Sequence, residues 1–130
     1  FLDYKNAIPR RNPINLVLDT KTMLQSLERV SVVISEKLKS PVRCLFEDNK
    51  VTMSAKTASG DAKDVCRIAG DGQGLEIGFN NRYLMDALRY APADTVKMEL
   101  NTGISPAIIV PVEGEENFLY MVLPVRLKAN

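Results

Sequence analysis

The residue types that most often carry out acid–base and metal chemistry are scarce in this sequence. Histidine is absent, and its imidazole is the commonest general base and metal ligand among side chains. Neither cysteine, Cys44 or Cys66, therefore has the imidazole that a Cys–His nucleophile requires. A disulfide framework normally uses more cysteines, so this pair is typical of buried, reduced core residues and favours a cytoplasmic protein.

Two further patterns could carry chemistry, and each has a simpler interpretation. The glycine run at residues 70–74 (GDGQG) lies between two strand-like segments, whereas a dinucleotide fingerprint needs a helix after it, so a hairpin turn is favoured. Five carboxylates fall in predicted loops or at strand starts, where solvated surface is the simplest role: Asp61, Asp64, Glu113, Glu115 and Glu116. A carboxylate-based hydrolase stays an alternative, which would need two acidic groups converging in a pocket. No metal or cofactor site is predicted.

Composition places the chain among ordinary globular domains. Its 130 residues suggest one domain, and 45% apolar with 25% charged residues is typical of one. The net charge of +1 gives no strong overall attraction to nucleic acid or acidic membranes, so any basic surface must be local. No apolar run approaches the roughly 20 residues that span a bilayer. No signal peptide is visible and the first residue is Phe1, so we expect a segment of a longer protein.

Apolar periodicity predicts the helices and strands. One helix is predicted at residues 19–34, where an apolar stripe begins at Met23, and a second follows Asn80 as its N-cap and ends at Pro92. Strands are predicted at residues 14–18, 42–47, 50–55, 64–69, 75–79, 95–100, 104–110 and 118–122. Tight turns are predicted at Asp48-Asn49 and in the glycine run.

Sequential strands joined by short turns pair antiparallel, and two short amphipathic helices can cover one face of such a sheet. The predicted class is therefore α+β, in two layers, with the order β-α-β-β-β-β-α-β-β-β and an internal pseudo-two-fold. Residues 1–13, which contain Pro9 and Pro13, are expected to form an entry linker. The domain itself is expected at residues 14–127, followed by a tail at 128–130.

The segment from Phe118 to Leu127 is apolar at nearly every position, although a strand with one wet face should alternate apolar and polar residues. Both faces of this strand therefore need cover. One alternative is a strand buried on both faces, and the other is an edge strand that docks a peptide. Pro124 cannot donate a ladder hydrogen bond, which predicts an edge, a bulge or an exit at that point.

The outer faces of both predicted helices carry basic residues. Lys21, Gln25 and Arg29 recur every four residues in the first helix, and Arg82 and Arg89 share a face in the second. Glu28 and Asp86 offset part of the positive charge of the two helices. A solvated face is the simpler interpretation, and a contact with a phosphate backbone would be weak and sensitive to salt.

Three segments, in this order, resemble one known family. Residues 1–9 (FLDYKNAIP), 77–88 (IGFNNRYLMDAL) and 123–127 (LPVRL) are similar to the third, C-terminal domain of the bacterial DNA polymerase III beta subunit, the sliding clamp. The resemblance covers essentially the whole chain. It implies three similar domains per subunit and two subunits joined head to tail in a ring, with helices lining the hole and sheets outside.

The resemblance also implies a processivity factor of DNA replication that has no catalytic activity, needs no cofactor and contacts no membrane. Its partners would be encircled duplex DNA, DNA polymerase and clamp-loader subunits, and other client proteins with short linear motifs that carry a leucine and an aromatic residue. The full-length protein would be a homodimer. A generic protein-interaction domain with no DNA role stays the alternative.

Three sets of residues match functional positions of that family. The peptide-docking pocket, half of which would belong to the preceding domain, would use Asn80, Tyr83, Ile104, Ser105, Pro106, Met121, Val122, Leu123, Pro124, Val125 and Arg126. The subunit interface would use Val33, Ile34, Asp64, Cys66 and Ile68. The DNA-facing residues would be Lys21, Gln25, Arg29, Arg82 and Arg89. Relatives often carry a strongly acidic interface strand, and Lys63 and Arg67 depart from that pattern.

Overall fold

The computed structural model describes residues 12–34, 41–58, 60–91, 93–112 and 118–127. Four predicted features lie wholly or partly outside these residues: the linker at 1–13, Pro92 as the helix end, the acidic loop at 113–117 and the tail at 128–130. Among the described residues, no helix is long and apolar enough to cross a bilayer.

Strand β1 (Ile14–Asp19) leads directly into helix α1 (Thr20–Val30). The Asp19 carboxylate caps the helix, because it accepts hydrogen bonds from the Thr22 backbone N–H at 2.9 Å and the Thr22 hydroxyl at 2.6 Å. The predicted helix at 19–34 is one turn too long: a 3-10 turn follows at Ser31–Val33. The side chains at positions 30 and 32–34 are β-branched, which lowers helix propensity although the apolar spacing continues.

Strands β2 (Val42–Thr57) and β3 (Gly60–Phe79) form one long antiparallel hairpin. The predicted tight turns at Asp48-Asn49 and in the glycine run are wrong, because both strands pass through these segments without reversing. The two segments face each other instead: Asp48 pairs with Asp71, and the Gly70 N–H donates to Asn49 Oδ1 at 3.1 Å. Turn-type residues occur here because the register shifts at this point and β3 bulges and bends.

The bend comes from an unequal register. Between the pairs Phe46↔Leu75 and Lys50↔Arg67, β2 advances four positions while β3 advances eight. The surplus residues form a bulge in β3, and its centre approaches β2 so closely that a Cβ on Gly72 would lie 2.3 Å from the Phe46 Cβ. Only glycine fits there, which is the physical reason for a glycine at the centre of the run.

Helix α2 (Asn81–Tyr90) confirms the predicted cap, because Asn80 Oδ1 accepts from the backbone N–H groups of Arg82 at 3.0 Å and Tyr83 at 3.3 Å. The remaining strands are β4 (Thr95–Leu100), β5 (Ala107–Pro111), β6 (Tyr120–Val122) and β7 (Pro124–Val125). The strand predicted at 104–110 begins only at Ala107, because the residues before it form a turn.

Strand pairing repeats about the predicted pseudo-two-fold. β1, which precedes α1, pairs antiparallel with β4, which follows α2. The end of β3, which precedes α2, pairs antiparallel with the start of β2, which follows α1. The sheet order is β2-β3-β1-β4-β5-β6, with β7 added beside the end of β3. The helices contact each other, and the largest fully buried side chains are Leu16, Leu18, Met23, Leu27, Phe46, Met53, Ile77, Phe79, Leu84, Leu88, Met98 and Leu100.

Gly72→Ala is expected to lower the free energy of unfolding by about 2 kcal/mol, because a methyl group against Phe46 forces β2 and β3 apart at the bulge. Urea unfolding followed by circular dichroism measures the change. The control is Gly74→Asn: Gly74 has a φ of +75° with open space at its Cβ position, and asparagine tolerates this backbone region. Equal destabilisation of both variants would contradict the close approach as the cause.

Candidate protein-docking site

The C-terminal apolar run divides between two strands with different partners. β6 pairs with β5, and after Leu123 the chain pairs with β3 instead, as β7, through Gly78↔Val125 and Phe79↔Pro124. Pro124 therefore lies where the chain leaves one strand pair for another, which its missing N–H permits. The run therefore contacts two different parts of the sheet.

The end of β3 is crossed closely by the last described residues. A Cβ on Gly78 would lie 2.5 Å from Leu127 Cδ2 and 2.8 Å from the Val125 carbonyl oxygen, so this position has room only for glycine. β3 ends one residue before Asn80, the cap of α2. The C-terminal segment and the first turn of α2 are therefore neighbours.

The turn at residues 101–106 is held against the same end of β3. Thr102 Oγ1 and Ser105 Oγ lie 2.7 Å apart, and the Ile104 N–H donates to Thr102 Oγ1 at 3.3 Å. A Cβ on Gly103 would lie 2.9 Å from the Glu76 carbonyl oxygen, which shows how closely the turn approaches β3. Ile104 itself is 73% exposed.

Large apolar side chains are exposed around this end of β3. We call them the β3-end patch, and they are Tyr83, Ile104, Met121, Leu123 and Val125. Tyr83 lies in the first turn of α2, and α2 contacts β6, which carries Met121. All five are among the predicted docking residues. Their exposure favours an edge that docks a partner over a strand buried on both faces.

The other predicted docking residues have different surroundings. Val122 is 1% exposed, so the structure assigns its side chain to the core and not to the surface of the patch. Asn80 is exposed, but its side-chain oxygen is occupied as the helix cap. Of the remainder, Ser105, Pro106 and Pro124 are half-buried and Arg126 is exposed.

The predicted subunit-interface residues divide in the same way. Cys66 and Ile68 are buried in the core, so a partner would meet only the backbone of β3 there. Val33 and Ile34 are half-buried. Their neighbour Val32, which was not among the predicted interface residues, is 82% exposed. The available signal was an apolar residue off the buried stripe of the helix.

One edge of β3 is open where the interface was predicted. Residues 61–67 pair with β2 on one side. On the other side, β1 joins β3 only at Val17↔Ala69, and no other described strand pairs with residues 61–68. An open strand edge is a template for pairing with another chain.

An ion pair connects α1 to this edge strand. Arg29 Nη2 lies 2.8 Å from Asp64 Oδ2, and its Nε donates to the same oxygen at 3.2 Å. Hydrogen bonds from Ser26 and then from Arg29, together with the charge of Arg29, hold the pKa of Asp64 below its usual value against the opposing effect of burial. Arg29, predicted to face DNA, is therefore held against β3.

The other predicted DNA-facing residues are exposed on the two helices. Lys21 and Gln25 lie on α1, and Arg82 and Arg89 lie on α2. Arg89 Nη1 is 3.5 Å from Asp86 Oδ1, which offsets part of its charge. The structure thus places these four residues on the exposed sides of two helices that contact each other.

The described residues offer little for catalysis. Burial raises the pKa of the Cys44 thiol to about 12, and desolvation also raises the pKa of Cys66, so both thiols are protonated at neutral pH. Asp61 is exposed, whereas Asp64 is paired with Arg29, and alternation along β3 puts them on opposite faces. Glu113, Glu115 and Glu116 lie outside the described residues. Within them, no group of three or more Cys, Asp or Glu could hold a metal ion.

A doubled strand–helix unit with an open strand edge and an exposed apolar patch defines a two-layer α+β domain suited to contacts with other proteins. A sequence model of the C-terminal domain of the DNA polymerase III beta subunit matches residues 5–126, and the chain belongs to that family. The predicted resemblance is thereby confirmed.

Relatives that match nearly the whole chain support its membership of this family. The beta sliding clamp of Synechocystis sp. is 33% identical over 132 residues, covering 95% of this chain and 32% of the relative. The Thermotoga maritima beta subunit superposes with a TM-score of 0.86 at 30% identity, covering 98% of this chain and 35% of that one. The clamp of Bartonella birtlesii bound to griselimycin superposes with a TM-score of 0.85 at 29% identity, covering 98% and 34%.

The chain spans about one third of the length of these relatives. Their likeness confirms the predicted α+β clamp-type fold with two helices on an antiparallel sheet. Their names, beta sliding clamp and DNA polymerase III beta subunit, agree with the prediction of a non-enzymatic domain from DNA replication.

Asp64→Asn is expected to lower the free energy of unfolding at pH 7 by about 1 kcal/mol, a modest value because the ion pair is partly exposed. The folded pKa of Asp64 lies below the ordinary value of 3.8, so the stabilisation is present above that pH. It is lost as the pH falls through the folded pKa. The variant should therefore lose less stability on acidification than the parent chain, in urea unfolding between pH 7 and pH 2.

The matched control is Asp61→Asn, on the same strand but on its exposed outer face. That variant should stay within about 0.5 kcal/mol of the parent chain. Equal effects of the two substitutions would show that the Arg29–Asp64 pair contributes nothing specific.

Proposed function

We propose that this chain is the third domain of a ring-shaped, homodimeric sliding clamp, which encircles duplex DNA in the cytoplasm without reading its sequence. The ring would tether DNA polymerase, clamp-loader subunits and other client proteins. The β3-end patch carries the proposal, because it exposes large apolar side chains at one place on a domain of the beta-subunit family. Such patches commonly mark interaction sites.

Client peptides would bind the patch through apolar side chains. Tyr83 borders it from α2, Ile104 from the 101–106 turn, and Leu123 and Val125 from the C-terminal segment. A short motif with a leucine and an aromatic residue would place one side chain against each of two borders. This is the mode of recognition that an exposed apolar edge supports.

The expected affinity of this chain alone is low. One well-buried apolar side chain contributes about 1.5–3 kcal/mol, whereas micromolar binding needs about 8 kcal/mol. Two anchors therefore give an affinity near the millimolar range. We expect the preceding domain of the full-length protein to complete the pocket.

A related structure supplies a second probe. The clamp of Bartonella birtlesii, which shares this fold, binds griselimycin. Ligand binding by a clamp of the same fold supports a ligand-binding role for this chain. Griselimycin and a short peptide with leucine and phenylalanine are therefore complementary probes.

The helices would face the DNA. Lys21 and Gln25 of α1 and Arg82 and Arg89 of α2 are exposed, which supports a contact with phosphates. Arg29 would contribute less, since Asp64 already neutralises it. With so few charges the contact would be weak and salt-sensitive, so retention on DNA would depend on the closed ring.

Val125→Asp is expected to weaken binding of the leucine–phenylalanine peptide roughly tenfold, because it places a charge among apolar contacts. Amide chemical shifts in the isotope-labelled chain, titrated to millimolar peptide, measure the change. The control is Val112→Asp, also an exposed valine but beyond the far end of β5. Griselimycin is titrated in parallel.

Two outcomes would count against the docking assignment. One is unchanged peptide affinity in Val125→Asp. The other is a set of shifts centred away from Tyr83, Leu123 and the 101–106 turn. Absence of binding to this chain, together with tight binding to the full-length protein, would show instead that the preceding domain supplies most of the affinity.

A protein that contains this chain and extends to the length of its relatives is expected to stay bound to circular DNA after loading, and to be lost when the DNA is cut. The physical reason is that a ring is retained by topology and slides off free ends. Gel filtration of loaded DNA before and after restriction cleavage measures retention. Equal retention on circular and linear DNA would favour a generic protein-interaction domain with no DNA role.

A further inference from the structure

The open edge of β3 carries positive charge on its outer face. Side chains alternate along the strand, so Lys63, Val65 and Arg67 share the exposed face. Val65 is 53% exposed between the two cations. The side chains of Lys63 and Arg67 make no ion pair with a described residue.

The neighbouring strand adds to this charge instead of offsetting it. Lys50 of β2 lies directly opposite Arg67 in the register, and like charges directly opposite destabilise a strand pair. The nearest acidic partner of Lys50 is Glu47, at 3.9 Å and well exposed. The pair Lys56↔Asp61 is balanced, so the excess is confined to the part of β3 around Val65.

The one other acidic residue within this stretch of β3 is not available to offset the excess. Asp64 lies on the opposite face of the strand, and its carboxylate is bound by Arg29 at 2.8 Å. A strand joining the open edge would therefore meet Lys63, Val65 and Arg67 on its outer face.

We propose that the open edge of β3 pairs with an extended strand that presents acidic, apolar and acidic side chains at alternate positions of one face. This proposal rests on the proposed function, because it takes the open edge of β3 to be the contact between the two subunits of the clamp. The acidic strand then belongs to the adjoining domain of the partner subunit. The charge pattern is opposite to the acidic interface strand expected from relatives.

The physics of strand addition supports this occupant. Backbone hydrogen bonds to the open edge supply affinity, and alternate side chains supply specificity. Acidic side chains facing Lys63 and Arg67 remove the like-charge conflict with Lys50, while an apolar side chain covers Val65. The competing interpretation is that edge cations only prevent strand pairing between molecules.

Two synthetic peptides test the proposal on this chain. Both are short, extended sequences of threonine and valine, with a valine at the central position. The acidic peptide has a glutamate two positions before that valine and another two positions after it. The basic peptide has lysine at the same two positions. Amide chemical shifts are followed to millimolar peptide. The acidic peptide should shift the amides of residues 61–68 and bind roughly tenfold more tightly than the basic one, with affinity falling as salt is added.

Charge reversal provides the matched variant. The double substitution Lys63→Glu with Arg67→Glu should reverse the preference to the basic peptide, while Lys21→Glu, on helix α1, should leave it unchanged. Far-UV circular dichroism establishes that each variant is folded. Where the double variant fails to fold, Lys63→Gln alone should reduce the preference for the acidic peptide.

Equal binding of both peptides, no shifts at residues 61–68, or an unchanged preference in the folded reversed variant would overturn the proposal. No binding of either peptide supports the interpretation that the cations only guard the edge. These outcomes are separate from the peptide-docking test, because that test reports on Tyr83 and Val125 at the other end of β3.

Discussion

The close approach of Gly72 to Phe46 is the constraint on which the fold depends. A Cβ at position 72 would meet the Phe46 Cβ at 2.3 Å, so β3 can bend against β2 only where a side chain is missing. The bend lets one strand serve three partners: β2 along most of its length, β1 at Ala69, and β7 at its end. The strands of both strand–helix units are joined in one sheet.

The pairing of strands between the two strand–helix units accounts for the apolar C-terminal run. Each unit contributes a strand before its helix to pair with the strand after the other helix. The run from Tyr120 to Val125 then has to cover two places, the edge of β5 and the end of β3. Val122 completes the core, whereas Met121, Leu123 and Val125 remain exposed. The same run therefore stabilises the sheet and builds the patch.

Local patterns predicted the elements well and the chain reversals poorly. The predicted cap at Asn80 follows from side-chain chemistry within three residues, so the sequence contains all that is needed. The turns predicted at Asp48-Asn49 and in the glycine run failed because asparagine, aspartate and glycine serve bends as well as reversals, and only the partner strand decides which. Burial of Cys66, Ile68 and Val122 likewise depends on which face of a strand meets the helices. Spacing alone leaves that face undetermined.

The Arg29–Asp64 pair links the two proposed surfaces of the domain, because one partner lies on the helix assigned to DNA and the other on the strand assigned to the subunit contact. Pairing reduces the positive charge that Arg29 offers to phosphates and the negative charge that Asp64 offers to a partner subunit. Counting charged residues along the sequence makes the 61–68 segment look neutral, with Asp61, Lys63, Asp64 and Arg67. Once Asp64 is bound to Arg29 and Asp61 is balanced by Lys56 across the strands, the exposed remainder is basic. The charge of this edge thus depends on which side chains pair in the folded domain, and the composition of residues 61–68 does not reveal it.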